Sequence, residues 1–173
     1  TSGRTGAGIT FFNRVGGRVE GDLLFAGGDD DLIFDAGSEV TGNIDGGRGT
    51  NTLTLNGGAN SSDVLAGALK NFQSLTKTGE GTWTVSGPLQ GFDTVLVEDG
   101  VLALTGNNAG FSGSVTVDQN GELQARAQSL PTKATGQNTN NVLNNGLLHF
   151  VNDTLDNGAL DNGTYVGQIT GSG

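Results

Sequence analysis

Residues 75–87 read Leu-Thr-Lys-Thr-Gly-Glu-Gly-Thr-Trp-Thr-Val-Ser-Gly, and this segment decides the interpretation of the rest of the chain. Apolar and polar residues alternate within it, as in Trp83-Thr-Val85, which is the pattern of a half-buried β-strand. Related copies follow it at a nearly constant interval, with these equivalent positions: Leu75, Val95 and Val115; Lys77, Val97 and Val117; Gly81, Gly100 and Gly121. The segment is therefore one member of a repeat.

A second repeat lies upstream. Val19-Glu-Gly-Asp-Leu23 aligns with Val40-Thr-Gly-Asn-Ile44, and the same offset places Phe34 on Leu55. Gly, Asn and Asp separate the apolar runs, and these residues tolerate positive φ and form tight turns. Repeats of this length with two or three short strands each indicate a solenoid, in which every coil buries its inward residues against neighbouring coils.

The predicted fold is all-β: a right-handed, single-stranded parallel β-helix (a β-solenoid) with about 20–21 residues per coil. We expect residues 1–173 to form a single domain. An irregular coil is expected at about 131–146, because the spacing from Gly121 to Gly146 is longer than that from Gly100 to Gly121. The regular coils are predicted at roughly 19–39, 40–60, 72–91, 92–110 and 111–130.

The composition narrows the class of function. Glycine supplies 32 of 173 residues, cysteine is absent, and 18 acids against 8 bases give a net charge of −10. Long helices are disfavoured by the glycine content, and a disulfide framework or thiolate metal site is excluded. Because the sequence has no Lys/Arg cluster, neither a nucleic acid nor an anionic membrane is an expected partner.

The 75–87 segment resembles the passenger-associated strand repeat of bacterial autotransporters (type V secretion), L-T-K-x-G-x-G-T-L-x-L-x-G, with Trp83 where leucine is commoner. The resemblance implies a β-helical passenger, secreted or displayed on the surface of a Gram-negative bacterium and exported by an outer-membrane β-barrel translocator outside this sequence. It also implies adhesion, self-association or biofilm formation, a part in virulence, and service as a stalk or autochaperone. The implied partner is a receptor on a host surface or neighbouring cell, or a second copy of the chain.

One acidic segment has the composition of a possible site. Between Glu20 and Asp45 the sequence contains eight acids and no base: Glu20, Asp22, Asp29, Asp30, Asp31, Asp35, Glu39 and Asp45. A carboxylate pair around Asp29–Asp31 would suit a polysaccharide-cleaving β-helix enzyme. A solvated acidic side that discourages lateral sheet pairing is the simpler interpretation, since no adjacent aromatic cluster offers a sugar platform. We therefore predict that the chain is not an enzyme and has no catalytic residue.

A calcium-dependent repeat module is the second alternative. Gly27-Gly-Asp-Asp-Asp-Leu-Ile-Phe34 and Gly46-Gly-Arg-Gly-Thr-Asn-Thr-Leu53 resemble the glycine- and aspartate-rich nonapeptide in which adjacent turns share Ca²⁺. The first copy lacks one glycine of the motif, and the second has Asn51 in place of an aspartate. We expect ordinary turn chemistry here, and no metal or cofactor.

Three other features have structural interpretations. His149, the only histidine, lies between Leu148 and Phe150 and is expected to face outward. Trp83 is expected to be an aromatic residue of the core or one that caps a coil, and not a platform for a ligand. The asparagine-rich residues 137–145 suggest either a ladder of stacked side chains or an exposed loop.

Overall fold

The computed structural model describes residues 6–108, 110–131, 142–151, 165 and 167–173. These residues form short strands and one turn of 3-10 helix at Ala127–Ser129. None of them forms a helix with the length and apolarity needed to cross a membrane. The strands are β1 (Thr10–Asn13), β2 (Arg18–Val19), β3 (Leu23–Leu24), β4 (Asp31–Asp35), β5 (Glu39–Val40), β6 (Ile44–Asp45), β7 (Thr52–Asn56), β8 (Ser62–Leu65), β9 (Leu69–Lys70), β10 (Ser74–Thr78), β11 (Thr82–Val85), β12 (Leu89–Gln90), β13 (Thr94–Leu104), β14 (Ser114–Ala125), β15 (Val142–Asn144), β16 (Leu147–Phe150) and β17 (Ile169–Thr170).

All pairings between these strands are parallel, and each joins a strand to its equivalent in the next coil. The longest stack runs β1-β4-β7-β10-β13-β14-β15-β17. A second face stacks β8, β11, the later halves of β13 and β14, and β16, while β3, β6, β9 and β12 form a third. The chain is therefore a β-solenoid, which confirms the predicted fold class.

The register gives the coil length directly. Thr10 pairs with Asp31, Asp31 with Thr52, and Ser74 with Thr94, so one coil of the solenoid corresponds to one repeat of the sequence. The coil that links Val115 to its partner Val142 is longer than these. Most of the irregular coil expected at 131–146, and most of the asparagine-rich stretch, lies outside the described residues.

The core is a set of apolar columns along the inside of the stack. One column contains Leu32, Leu53, Leu75, Val95, Val115 and Val142, all essentially inaccessible to solvent. Trp83, Leu102 and Leu123 are buried in a column on the second face, which confirms the core position predicted for Trp83. Because each inward side chain packs on the coils above and below, a low apolar fraction suffices for a continuous core.

Candidate functional site

The three aspartates at residues 29–31 do not form a cluster, because their side chains serve different contacts. Asp29 Oδ1 accepts the backbone N–H of Thr50 at 2.8 Å, and Asp31 Oδ1 accepts the hydroxyl of Thr52 at 2.6 Å. Asp30 is only 1% exposed. The interpretation of this segment as a uniformly solvated acidic side is therefore wrong for Asp30, which the strand alternation places inside the solenoid.

Asp30 belongs to a ladder of side chains that connects successive coils. Its Oδ1 accepts the N–H of Ile9 at 2.8 Å, and its own N–H donates to Asn51 Oδ1 at 2.9 Å. The N–H of Asn51 in turn donates to the side-chain oxygen of Gln73. Each side chain thus satisfies a backbone donor of the preceding coil, at a corner where the sheet hydrogen bonds are interrupted.

Asn51 shows why an amide stands where a calcium motif would have a carboxylate. The side chain is completely buried, and its Nδ2 donates to the carbonyls of Gly46 at 2.9 Å and Asn71 at 2.8 Å. A carboxylate has no hydrogen to donate to either carbonyl. Within the described parts of the chain, no group of three or more His, Asp or Glu side chains is placed to hold a metal ion.

The remaining acids also have partners, which lie in neighbouring coils for all of them except Glu20. Arg18 pairs with both Glu20 and Glu39, and Arg14 Nη1 lies 3.2 Å from Asp35 Oδ2. The bases that the acidic segment lacks in sequence are thus supplied by the coil before it. Asp22 Oδ1 accepts the N–H of Asn43 at 2.7 Å, in a second corner ladder.

Lys77 is a second buried charged residue, after Asp30, that the sequence did not predict. It occupies the inward column between Leu55 and Val97 and is completely inaccessible to solvent. Its Nζ donates to the carbonyls of Thr78 and Gly79 in its own coil, and to that of Asp99 in the next coil at 2.9 Å. Burial lowers the pKa of Lys77 from 10.5 to about 8, against an opposing attraction from Asp99. The repeat did indicate an inward position for Lys77, because Lys77 aligns there with Val97 and Val117.

His149 faces outward, as the alternation predicted. Its side chain is 59% exposed, and its Nδ1 lies 3.8 Å from Glu122 Oε1. Leu148 packs against the core, whereas Phe150 remains 43% exposed. Trp83, by contrast, is buried and donates its Nε1–H to the carbonyl of Asn56 at 3.1 Å.

Comparison with known protein families matches the passenger-associated-transport-repeat at residues 75–88 and 98–125. The chain thus contains two segments that are similar to this repeat. This confirms the repeat family predicted from residues 75–87. No curated protein and no solved structure is significantly similar to the chain.

The matched segments include β14 and most of β13, the two longest strands of the solenoid. The first matched segment contains β11 and nearly all of β10, and the second runs from the corner in β13 to the end of β14. Lys77, Gly79 and Trp83 fall in the first segment, and Asp99 in the second. The hydrogen bond from Lys77 to Asp99 therefore joins the two matched segments.

Proposed function

We propose that the chain is a non-enzymatic part of an autotransporter passenger, exported to the cell surface or secreted, that works as an adhesion, self-association or biofilm module. Its partner is a receptor on a host or neighbouring cell or a second copy of the chain, and an outer-membrane translocator is its export partner. The observation that carries the proposal is that the segments matching the passenger-associated repeat lie within a continuous stack of parallel coils.

The same stack supports a role as a stalk and autochaperone. Parallel coils add one after another, and each needs a folded neighbour to bury its inward column. The contact from Lys77 to Asp99 and the paired strands β13 and β14 provide such a template in the middle of the chain. Coils formed there would template those on either side.

The experiment displays the chain on the surface of non-aggregating bacterial cells. We expect the displaying cells to settle faster and to attach more strongly to a surface than cells that carry the empty display scaffold. Purified chain added in solution should slow the settling if the contact is homotypic. Settling and attachment equal to those of the scaffold control would contradict an adhesive function.

The enzyme alternative is tested separately with Asp29→Asn and Asp31→Asn. Because each carboxylate already accepts a hydrogen bond from the next coil, we expect no polysaccharide-cleaving activity in the parent chain. Release of reducing ends from a polysaccharide panel, lost in either variant, would instead establish the enzyme.

A further inference from the structure

Asparagine is followed by glycine at three places among the described residues: Asn56-Gly57, Asn120-Gly121 and Asn145-Gly146. An asparagine in this position has an intrinsic reaction, because glycine has no side chain to keep its backbone nitrogen away from the neighbouring amide. That nitrogen can attack the side-chain amide carbon and displace ammonia. The three pairs are chemically the same, so the fold decides which of them reacts fastest.

Hydrogen bonds to neighbouring coils restrain two of the three asparagine side chains. Asn56 donates its Nδ2–H to Asp35 Oδ1 of the coil before it, at 2.9 Å. Asn145 Oδ1 accepts from both the backbone N–H and the hydroxyl of Ser172 in the coil after it, each at 3.3 Å. Either side chain must break such a bond before its amide carbon can turn toward the following glycine.

The Asn120 side chain has no such restraint. It is exposed, and it makes no hydrogen bond within the described part of the chain. It also follows an irregularity in the pairing of β13 with β14: Val97 pairs with Val117, but Asp99 pairs with Asn120, so β14 has one more residue at this corner. A bulge of this kind disrupts the hydrogen bonds of the sheet locally. Both the amide and the backbone beside it are therefore less constrained than at the other two pairs.

We propose that Asn120 is a site of spontaneous deamidation, and that it reacts faster than the other two pairs. The backbone nitrogen of Gly121 forms a bond to Cγ of Asn120 while the bond from Cγ to Nδ2 breaks. Nδ2 leaves as ammonia and takes the proton that the Gly121 nitrogen releases. Water then opens the resulting succinimide ring at either carbonyl, which yields aspartate or isoaspartate. Because water is the only co-reactant, the modification needs no enzyme.

The modification changes the corner in two ways. The new carboxylate lies in register with that of Asp99 on the coil before it, and like charges directly opposite each other are destabilising. The isoaspartate product also lengthens the backbone by one methylene group, beside a glycine that is closely packed: a Cβ on Gly121 would overlap the carbonyl oxygen of Val97. Deamidation should therefore make this part of the solenoid less stable.

The test incubates the purified, folded chain in mildly alkaline buffer and follows each asparagine by peptide mass spectrometry. Deamidation raises the peptide mass by about 1 Da, the difference between an amide and an acid. We expect this gain at Asn120 to be at least about fivefold faster than at Asn56 and Asn145, the factor that one hydrogen bond contributes. Methylation by an isoaspartate-specific methyltransferase, located on the same peptides, identifies the isoaspartate product.

The matched control is the same chain unfolded in urea, where the three pairs should react at similar rates because the restraints are gone. A folded chain in which Asn120 gains mass no faster than Asn56 or Asn145 would overturn the proposal. Equal preference for Asn120 in the folded and the unfolded chain would also overturn it, since the preference would then not come from the fold.

Two variants separate the reaction from its consequence. Asn120→Gln should gain little mass at this position, because its longer side chain would have to close a six-membered ring. Asn120→Asp places the product carboxylate there from the start, and we expect it to melt at a lower temperature than Asn120→Gln. Equal melting temperatures would overturn the effect on stability and leave the modification site standing.

Discussion

At the scale of single residues, Lys77 is an ammonium group in a column of aliphatic side chains. Its three carbonyl partners replace only part of the hydration that burial removes. Lys77 links the corner at Gly79 to Asp99 in the next coil through hydrogen bonds. Burying its charged amine costs free energy of folding, and this cost depends on pH. The cost is measurable because the pKa of Lys77 in the folded chain, about 8, lies below the ordinary value of 10.5.

We predict that the free energy of unfolding rises with pH between about 8 and 10.5, by at most about 3 kcal/mol. Below pH 8 the amine is charged in both states and the fold bears the full cost of burying it. Above pH 8 the folded chain releases the proton first, so this cost disappears as pH increases. Urea unfolding across this range measures the effect in the parent chain and in Lys77→Met.

Lys77→Met should lose this dependence on pH, whatever its overall stability. Lys70→Met is the matched control, since Lys70 lies on the outward side of β9 and should retain the dependence. Identical pH profiles for the parent and Lys77→Met would contradict the assignment to this amine.

Asn51 leads to a second prediction at the residue scale. In Asn51→Asp, a carboxylate oxygen would replace the Nδ2 that now donates to Gly46 and Asn71, and two carbonyls would face a buried negative charge. We expect a loss on the order of 3 kcal/mol in the free energy of unfolding, measured with urea. Gln90→Glu, the same change at an exposed position, should cost less than about 0.5 kcal/mol.

The sequence predicted burial correctly for apolar residues at inward positions of the strands. It failed for charged residues at inward positions. Trp83 is apolar and stands at an inward position, so its burial followed from the alternation. Lys77 stands at an inward position with a charged head, and its burial depends on three carbonyls that only the folded corner brings together. Asp30 likewise depends on the N–H of Ile9, which belongs to the coil before it.

At the scale of the structural element, glycines stacked along the solenoid allow successive coils to approach closely at a corner. The equivalent positions Gly42, Gly67, Gly87 and Gly106 lie on successive coils, and a Cβ on any of them would overlap the backbone of the coil before it. For Gly87 the overlap would be with the carbonyl oxygen of Gly67. The coils can approach to the distance of sheet hydrogen bonds only because this column has no side chains.

We predict that Gly87→Ala lowers the free energy of unfolding by about 1–3 kcal/mol, because the backbone of one coil must shift against the other. Gly58→Ala is the matched control: a Cβ there meets nothing within 4 Å. Thermal melts followed by circular dichroism compare the two variants. Equal melting temperatures would show that the corner is looser than its geometry indicates.

The pairing of equivalent strands was more predictable from the sequence than the number of residues that separates them. The repeat spacing predicted pairs such as Leu32 with Leu53 and Leu75 with Val95, because register follows the inward pattern. It could not predict that Ile44 pairs with Leu69, which lies further along the chain than the repeat spacing would place it. The longer coil contains β8, which pairs with β11 of the next coil and begins the second face of the solenoid.

At the scale of the whole molecule, the acids act as connectors between coils. Asp22, Asp29 and Asp30 accept backbone N–H groups, and Asp31, Asp35 and Glu39 accept side-chain donors of adjacent coils. A net charge of −10 is therefore compatible with a closely stacked solenoid. The sequence shows the net charge. Which donor each carboxylate bonds to follows only from the pairing register of adjacent coils.

This distribution of acids predicts how the whole chain responds to calcium. The second glycine-rich segment has no carboxylate, and Asp29, Asp30 and Asp31 of the first are each bonded to a donor of a neighbouring coil. We therefore expect the melting temperature in about 5 mM Ca²⁺ to equal that in EDTA. Mg²⁺ at the same concentration controls for screening of the net negative charge, which both ions provide. A melting temperature raised by Ca²⁺ but not by Mg²⁺ would establish the calcium-dependent module, and would mean that the ion displaces the Asp29 and Asp30 hydrogen bonds.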